Sequence, residues 1–229
     1  MTDSNAAYLT ATNIIDSDDD AVIAYARSLV DPSDDPRTRA VKLYYGVRDD
    51  VRYDPYTVGW SPRDYKASST LAKGAGWCVP KAVLYAAVCR SQGIPTRLGF
   101  ADVRNHLSTE RMRERMKTDV FIWHGYVSVC LQNRWVKATP AFNLSLCEKF
   151  ELKPLEFDGV EDSLYHEFDE AGNRHMEYLR DRGEFADLPL QRILRDLETF
   201  YGEGAIVQED SASFLADVDR EVSSLTASR

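Results

Sequence analysis

The sequence is short of positive charge. Lys and Arg number 28 against 37 Asp and Glu, a net charge of −9, which argues against a nucleic acid or an anionic membrane as the main partner. Long apolar runs are missing too. No stretch approaches the roughly 20 apolar residues of a membrane span, and the opening MTDSNAAYLTATNII lacks a basic n-region, so a soluble cytoplasmic chain without membrane contact is expected. Cysteine is scarce. The 4 cysteines in 229 residues include no C-x-x-C pair, which excludes a zinc knuckle and a disulfide scaffold and leaves free thiols as the expectation. Internal repeats and low-complexity linkers are also absent, so residues 1–229 read as a single domain.

Against this background the stretch GAGWCVPKAVLYAAVCRSQGIP, residues 74–95, organises the chain. Gly74 and Gly76 supply a turn that glycine makes cheaply, and Pro80 is tolerated only where first-turn amides have no intrahelical partner. A helix therefore begins close to Cys78. Val79, Val83, Leu84, Ala87 and Val88 recur at three- and four-residue spacing, and Gly93, Ile94 and Pro95 stop it. The Cys78 thiol then sits in the positive field of the helix dipole, which favours thiolate. Cys89, in the helix body, reads as a packed residue without chemistry.

The acidic run Asp16–Asp20 reads as the cap of a helix over AVIAYARSLV, not as a cation site. A second helix starts at Asp35 and Pro36, runs through VKLYYGVRDDV and ends at Tyr53, Asp54 and Pro55. Residues 56–71, with Trp60, Pro62 and Tyr65, read as an aromatic loop packed on the core. After the central helix, TRLGFADV is a strand. A short helix follows, capped by Ser108 or Thr109, whose Arg111, Arg113, Arg115 and Lys117 alternate with Glu110 and Glu114 as a solvated face.

The longest strand signal is VFIWHGYVSVCL, residues 120–131. Alternation puts His124 on one face with Ile122, Tyr126, Ser128 and Cys130. Gln132 and Asn133 form a tight turn into RWVKATPAFN. If Leu131 pairs with Arg134, His124 lies opposite Ala141, with Thr139 and Asn143 as diagonal neighbours within reach of an imidazole. Beyond Leu146 the chain turns acidic and polar. His166 and His175 stand among Asp162, Glu167, Asp169 and Glu170 without a metal-ligand spacing, and this stretch reads as a surface helix or lid. Two helices close the chain. One is opened by Asp187 and Pro189, carries Leu190, Ile193, Leu194, Leu197 and Tyr201, and ends at Gly202; the other is opened by Ser211 and carries Phe214, Leu215, Val218 and Val222.

Nucleophilic catalysis by cysteine needs a thiolate, a base that also protonates the leaving group, a group that fixes the base's tautomer, and amides for the oxyanion. Cys78 and His124 supply the first two. The order of cysteine, glycine-ended helix, strand, histidine strand and W-V hairpin resembles the transglutaminase-like superfamily. The resemblance rests on Gly76, Cys78, Ala82, Arg90, Gly93, Ile94, Pro95 and Arg97, then His124 and Trp135 to Pro140, with Tyr53 matching a tyrosine ahead of the cysteine loop. It implies an α+β, papain-like fold of helices packed on an antiparallel sheet, with its core over residues 36–146 and a helical extension over 150–229. It also implies Cys78 as nucleophile, His124 as acid and base, Trp77 and Cys78 at the oxyanion side of the groove, and no metal or organic cofactor. Family members usually carry an aspartate before the proline of the second hairpin strand; here Thr139 precedes Pro140. Papain-type relatives use asparagine in that role, which makes Asn143 the rival third member.

The leading expectation is thus a hydrolase of peptide or other amide bonds, acting on a peptide or protein through a thioacyl-enzyme. A transamidase differs only in passing the acyl group to an amine. A binding module that kept the fold is the third reading, favoured by Thr139 and opposed by the retained Cys78 and His124. No oligomeric state is read from the sequence.

Overall fold

The acidic runs of the N-terminal half do cap helices in the computed structural model, which describes residues 3–105, 108–164, 176–202, 204 and 211–227. Helix α1 (Asp20–Leu29) begins at Asp19, whose carboxylate accepts from the Ala21 and Val22 amides. Helix α2 (Pro36–Asp50) begins at Asp35, which accepts from Thr38 N. Two-residue strands β1 (Arg52–Tyr53) and β2 (Ala75–Gly76) then pair in parallel and tie the end of α2 to the cysteine turn. Between them the expected aromatic loop contains a helix, α3 (Ala67–Lys73), closed by Gly74 at φ +62°. Seven residues are too few to show an apolar period, so only the glycine stop was visible in the sequence.

Helix α4 (Cys78–Ser91) is buried from Cys78 through Arg90. It is walled in on every side, and its sequence is accordingly apolar all round rather than on one stripe. Arg90 survives in this setting because its guanidinium donates to the carbonyls of Thr10, Thr96 and Ala186 and to Thr96 Oγ1. Lys81 is also completely buried. Its Nζ donates to Val51 O and, at 2.9 Å, to Arg48 O, capping the C-terminal end of α2. A neutral amine keeps two hydrogens, enough for both carbonyls, and burial pushes the Lys81 pKa down to about 7.

Above that value the folded chain has released the Lys81 proton, while the unfolded chain holds it to about pH 10.4. The unfolded state binds more protons across this window, so Lys81 adds stability as pH rises from about 7 to 10. Lys81→Met should lose that increment. Urea melts of both proteins at pH 7 and pH 9.5 test it: the stability gap must widen with pH, and a constant gap contradicts the assignment.

The second half builds the sheet. Strand β3 (Thr96–Asn105) leads through α5 (Glu110–Met116) to β4 (Val120–Leu131) and β5 (Arg134–Ala138), and α6 (Leu144–Lys149) follows. Gln132 and Asn133 both have positive φ, 51° and 61°, as a tight two-residue hairpin turn requires, and Leu131 pairs with Arg134 as expected. Thr109 caps α5, accepting from Met112 N. Strand β6 (Met176–Phe185) completes an antiparallel sheet ordered β5-β4-β3-β6. It replaces the surface helix or lid expected in this region. The stretch MEYLRDRGEF hid its strand character because between Met176 and Phe185, which pack on the core, it is mostly charged and makes ion pairs, Arg182 to Asp102 and Glu184 to Arg97. His166, Glu167, Asp169, Glu170 and His175 lie outside the described residues. Helices α7 (Leu190–Tyr201) and α8 (Ser211–Ala227) close the chain where the sequence placed them. Among the described residues no helix is long and apolar enough to cross a membrane.

Candidate active site

Cys78 is the first residue of α4, and the nearby backbone amides of Gly125 and Val79 favour its thiolate. Gly125 belongs to β4, and the contact depends on its having no side chain. A Cβ there would lie 3.2 Å from Val79 Cα and 3.3 Å from Cys78 O, tighter than backbone atoms accept without moving. Glycine thus lets β4 lie directly on the first turn of α4 and delivers the preceding residue, His124, to the same place. The thiol is not a standing thiolate, as the helix dipole alone suggested. Cys78 is only 5% exposed, and burial pushes its pKa up to about 12, outweighing the amides that lower it.

His124 is reached through a bulge. Its partner across β3 is Ala101, whereas Phe121 pairs with Val103, so Ile122 and Trp123 together oppose Asp102. The strict alternation that grouped His124 with Ile122 breaks here. Trp123 sits at φ +61°, a left-handed conformation that costs a bulky residue about 1–3 kcal/mol. A polar network holds it there. Asp102 Oδ1 accepts from Trp123 N at 3.1 Å and from Arg182 Nε. Arg182 Nη1 donates to Asp196 Oδ2 at 2.6 Å, and Trp123 Nε1 donates to the same oxygen at 2.9 Å. The guanidinium lies over the Trp123 ring, 4.6 Å from its centroid.

Cys78 and His124 line one cavity of about 80 Å³, together with Trp77, Tyr53, Tyr201 and Arg115. That volume holds a few waters and is smaller than the ~150 Å³ that admits benzene. His124 itself is 6% exposed. Burial raises the Tyr53 hydroxyl well above its usual range, so it stays neutral in the wall of the cavity that Cys78 lines. The Tyr201 hydroxyl accepts from Ile122 N and donates to Val120 O, both at 2.9 Å, pinning the start of β4. Arg115, read from sequence as part of a solvated face, stands in the cavity wall. Tyr201 was legible only as an apolar helix position, and nothing in the sequence marked its hydroxyl.

Neither expected third member bonds to the imidazole. The β4–β5 ladder ends at Val127 and Ala138, so the extrapolated pairing of His124 with Ala141 is not made. Thr139 N turns away to Ser163 O, and the buried Thr139 Oγ1 has no hydrogen-bond partner among the described residues. Asn143 Oδ1 accepts from Tyr53 N at 2.9 Å and its Nδ2 donates to Ser145 Oγ at 2.8 Å. Its amide is spent on fixing the Tyr53 strand. The basis of the expectation was an extended hairpin, and the ladder ends at Ala138, three residues short of Ala141.

The sequence profile of the transglutaminase-like superfamily matches residues 23–140, just over half of the chain. No curated protein matches the sequence. Among solved structures, a chain titled "Putative Cysteine Protease" from Cytophaga hutchinsonii is similar at 14% identity and TM-score 0.47, covering 80% of this chain and 55% of that one. A chain titled "putative protease" from Parabacteroides distasonis is similar at 14% identity and TM-score 0.36, covering 51% of this chain and 22% of that one. The chain thus spans about half the length of the first and a fifth of the second.

Proposed function

This chain belongs to the transglutaminase-like superfamily, and from that premise we propose that it is a cysteine-dependent acyl-transfer enzyme that hydrolyses peptide or other amide bonds. One observation carries the reading: Cys78, at the first turn of α4, and His124 line the same cavity. The Cys78 sulfur attacks the amide carbonyl carbon as its proton passes to the His124 imidazole. The C–N bond then breaks and the same proton leaves on the amine. Water, giving a proton to His124, cleaves the thioester, and the proton returns to sulfur as the acid departs. With the thiol held at about 12, attack and proton transfer go together, with no preformed ion pair required. The first-turn amides of α4, with Trp77 closing the groove, provide for the oxyanion. Thr139 and Asn143 take no part in this reading.

Transamidation is the second reading, and the aromatic-lined cavity of about 80 Å³ favours it, since walls that limit water raise the share of an amine acceptor. Partition of a common acyl-enzyme separates the two. With an activated ester as acyl donor, a hydrolase should yield mainly free acid even at 50 mM glycinamide, whereas a transamidase should yield mainly the amide. Absence of turnover with any ester or peptide amide would overturn both.

A further inference from the structure

Cys78 is 5% exposed and lines a cavity of about 80 Å³, less than the ~150 Å³ that admits benzene, so the proposed chemistry requires part of the cavity wall to move. The wall has firm and loose parts. Helix α4 and strands β3 and β4 are core elements, buried along most of their length. Helix α5 has no buried residue and is clamped from outside by α8. Arg111 Nε meets Asp217 Oδ2 at 3.1 Å, Arg113 Nη2 meets Glu221 Oε1 at 3.3 Å, and Glu221 also accepts from Glu110 N. The exposed Arg113–Glu221 pair holds weakly, and elements held by few buried apolar contacts open first.

What α8 places in the groove is specific. Phe214 stands edge-on to Tyr53 and Tyr56, with ring centroids 6.2 and 5.3 Å away. Three residues on, the buried Asp217 accepts from Tyr56 Oη at 2.8 Å and pairs with Arg111. Phe214 also lines a smaller cavity of about 30 Å³ whose other walls include Tyr53, Pro55, Met112, Phe121 and Phe142. Those five residues line the Cys78 cavity as well. The seat of Phe214 and the candidate active site are therefore one continuous groove, aromatic at its floor and cationic at its rim.

We propose that this groove is a binding site for a peptide segment carrying an aromatic side chain and, three residues further on, a carboxylate, and that α8 is its internal occupant. The aromatic ring takes the Tyr53–Tyr56 seat, and the carboxylate takes the Tyr56 hydroxyl and the Arg111 guanidinium. Substrate binds by displacing α8, which frees α5, the helix whose Met112, Arg115 and Met116 line the Cys78 cavity. The assignment of substrate class rests on the acyl-transfer reading; the groove and its occupant do not.

The test uses the full chain and the alkylation rate of Cys78 by iodoacetamide, followed by peptide mapping. Asp217→Asn combined with Glu221→Gln removes the charges that hold α8 and leaves the groove intact, and should raise the rate roughly tenfold. Phe214→Ala, checked for folding by circular dichroism, should do the same; if it fails to fold, the charge variant carries the test. A synthetic peptide of residues 211–223 added to the charge variant should slow alkylation back toward the wild-type rate. The same peptide with Ala at both anchor positions should not. Wild-type alkylation rates in a folded variant, or equal protection by both peptides, overturn the proposal. If Cys78 becomes acylated by a donor while the α8 variants change nothing, the groove assignment fails alone. If α8 governs access but Cys78 is never acylated, the acyl-transfer reading fails and the binding site stands.

Discussion

His124→Gln is expected to slow acyl transfer by roughly 10²–10⁴-fold, the usual contribution of a positioned general acid and base, with the melting temperature nearly unchanged. Two features of the site make the loss large. The thiol, held at about 12 by burial, has no appreciable thiolate of its own at neutral pH, so attack depends on a base in the cavity. The amine, too, must leave with a proton. Glutamine fills a similar volume and keeps hydrogen-bonding capacity without accepting a proton, so the fold should survive. A parallel test is the pH profile. In the wild type, turnover should follow an ionisation that the variant lacks, and a folded variant with wild-type turnover would remove His124 from the chemistry.

Arg182→Ala is expected to give the largest stability loss of any single polar change described here. The Arg182 side chain is 9% exposed and Asp102 10%, so deleting the guanidinium leaves a buried carboxylate without its partner, at a cost of about 3–5 kcal/mol. In a chain of 229 residues that corresponds to a fall in melting temperature of roughly 6–20 °C. The change should also reach the site. Asp102 and Asp196 hold Trp123 in its left-handed conformation, and His124 is the next residue. Once relaxed, the bulge would turn the imidazole away from Cys78, and a misplacement of about 1 Å can cost on the order of 10²-fold in rate. Asp102→Asn keeps an acceptor for Trp123 N and should retain more turnover than Arg182→Ala. Thermal melts and turnover on the two variants check this, and a melting temperature within 2 °C of wild type for Arg182→Ala contradicts it.

Much of the scaffold was legible because its signals are local. Asp19 and Asp35 cap helices by one-residue chemistry, Gly93 stops α4, and the Gln132–Asn133 turn sets the register of β4 and β5. The place of Cys78 at the start of α4 followed from the same reasoning, since Gly74, Gly76 and Pro80 fix where the helix begins. What escaped is non-local. Strand β6 is stabilised by charges on other strands, which no period in its own sequence reveals. The bulge at Trp123 arises from Asp102 on β3 and Arg182 on β6, residues 21 and 59 positions away in the chain, so no period within β4 reveals it. The reach of Thr139 and Asn143 failed for the same reason: Ser163 captures the chain after Ala138 and ends the ladder. The thiol's protonation state, likewise, depends on how deeply the finished fold covers Cys78, where burial defeats a helix-terminus effect that is readable from position alone.

On the proposed reading Cys78 carries the acyl group and His124 takes the proton that its sulfur gives up. The most direct measurement is intact-mass and peptide-map analysis of the full chain quenched in acid during turnover of an activated aryl ester. A single acyl group should be found on Cys78, removable by hydroxylamine, absent from Cys78→Ala and strongly reduced in His124→Gln. An unmodified Cys78 under turnover, or an acyl group confined to Cys130, would contradict the account.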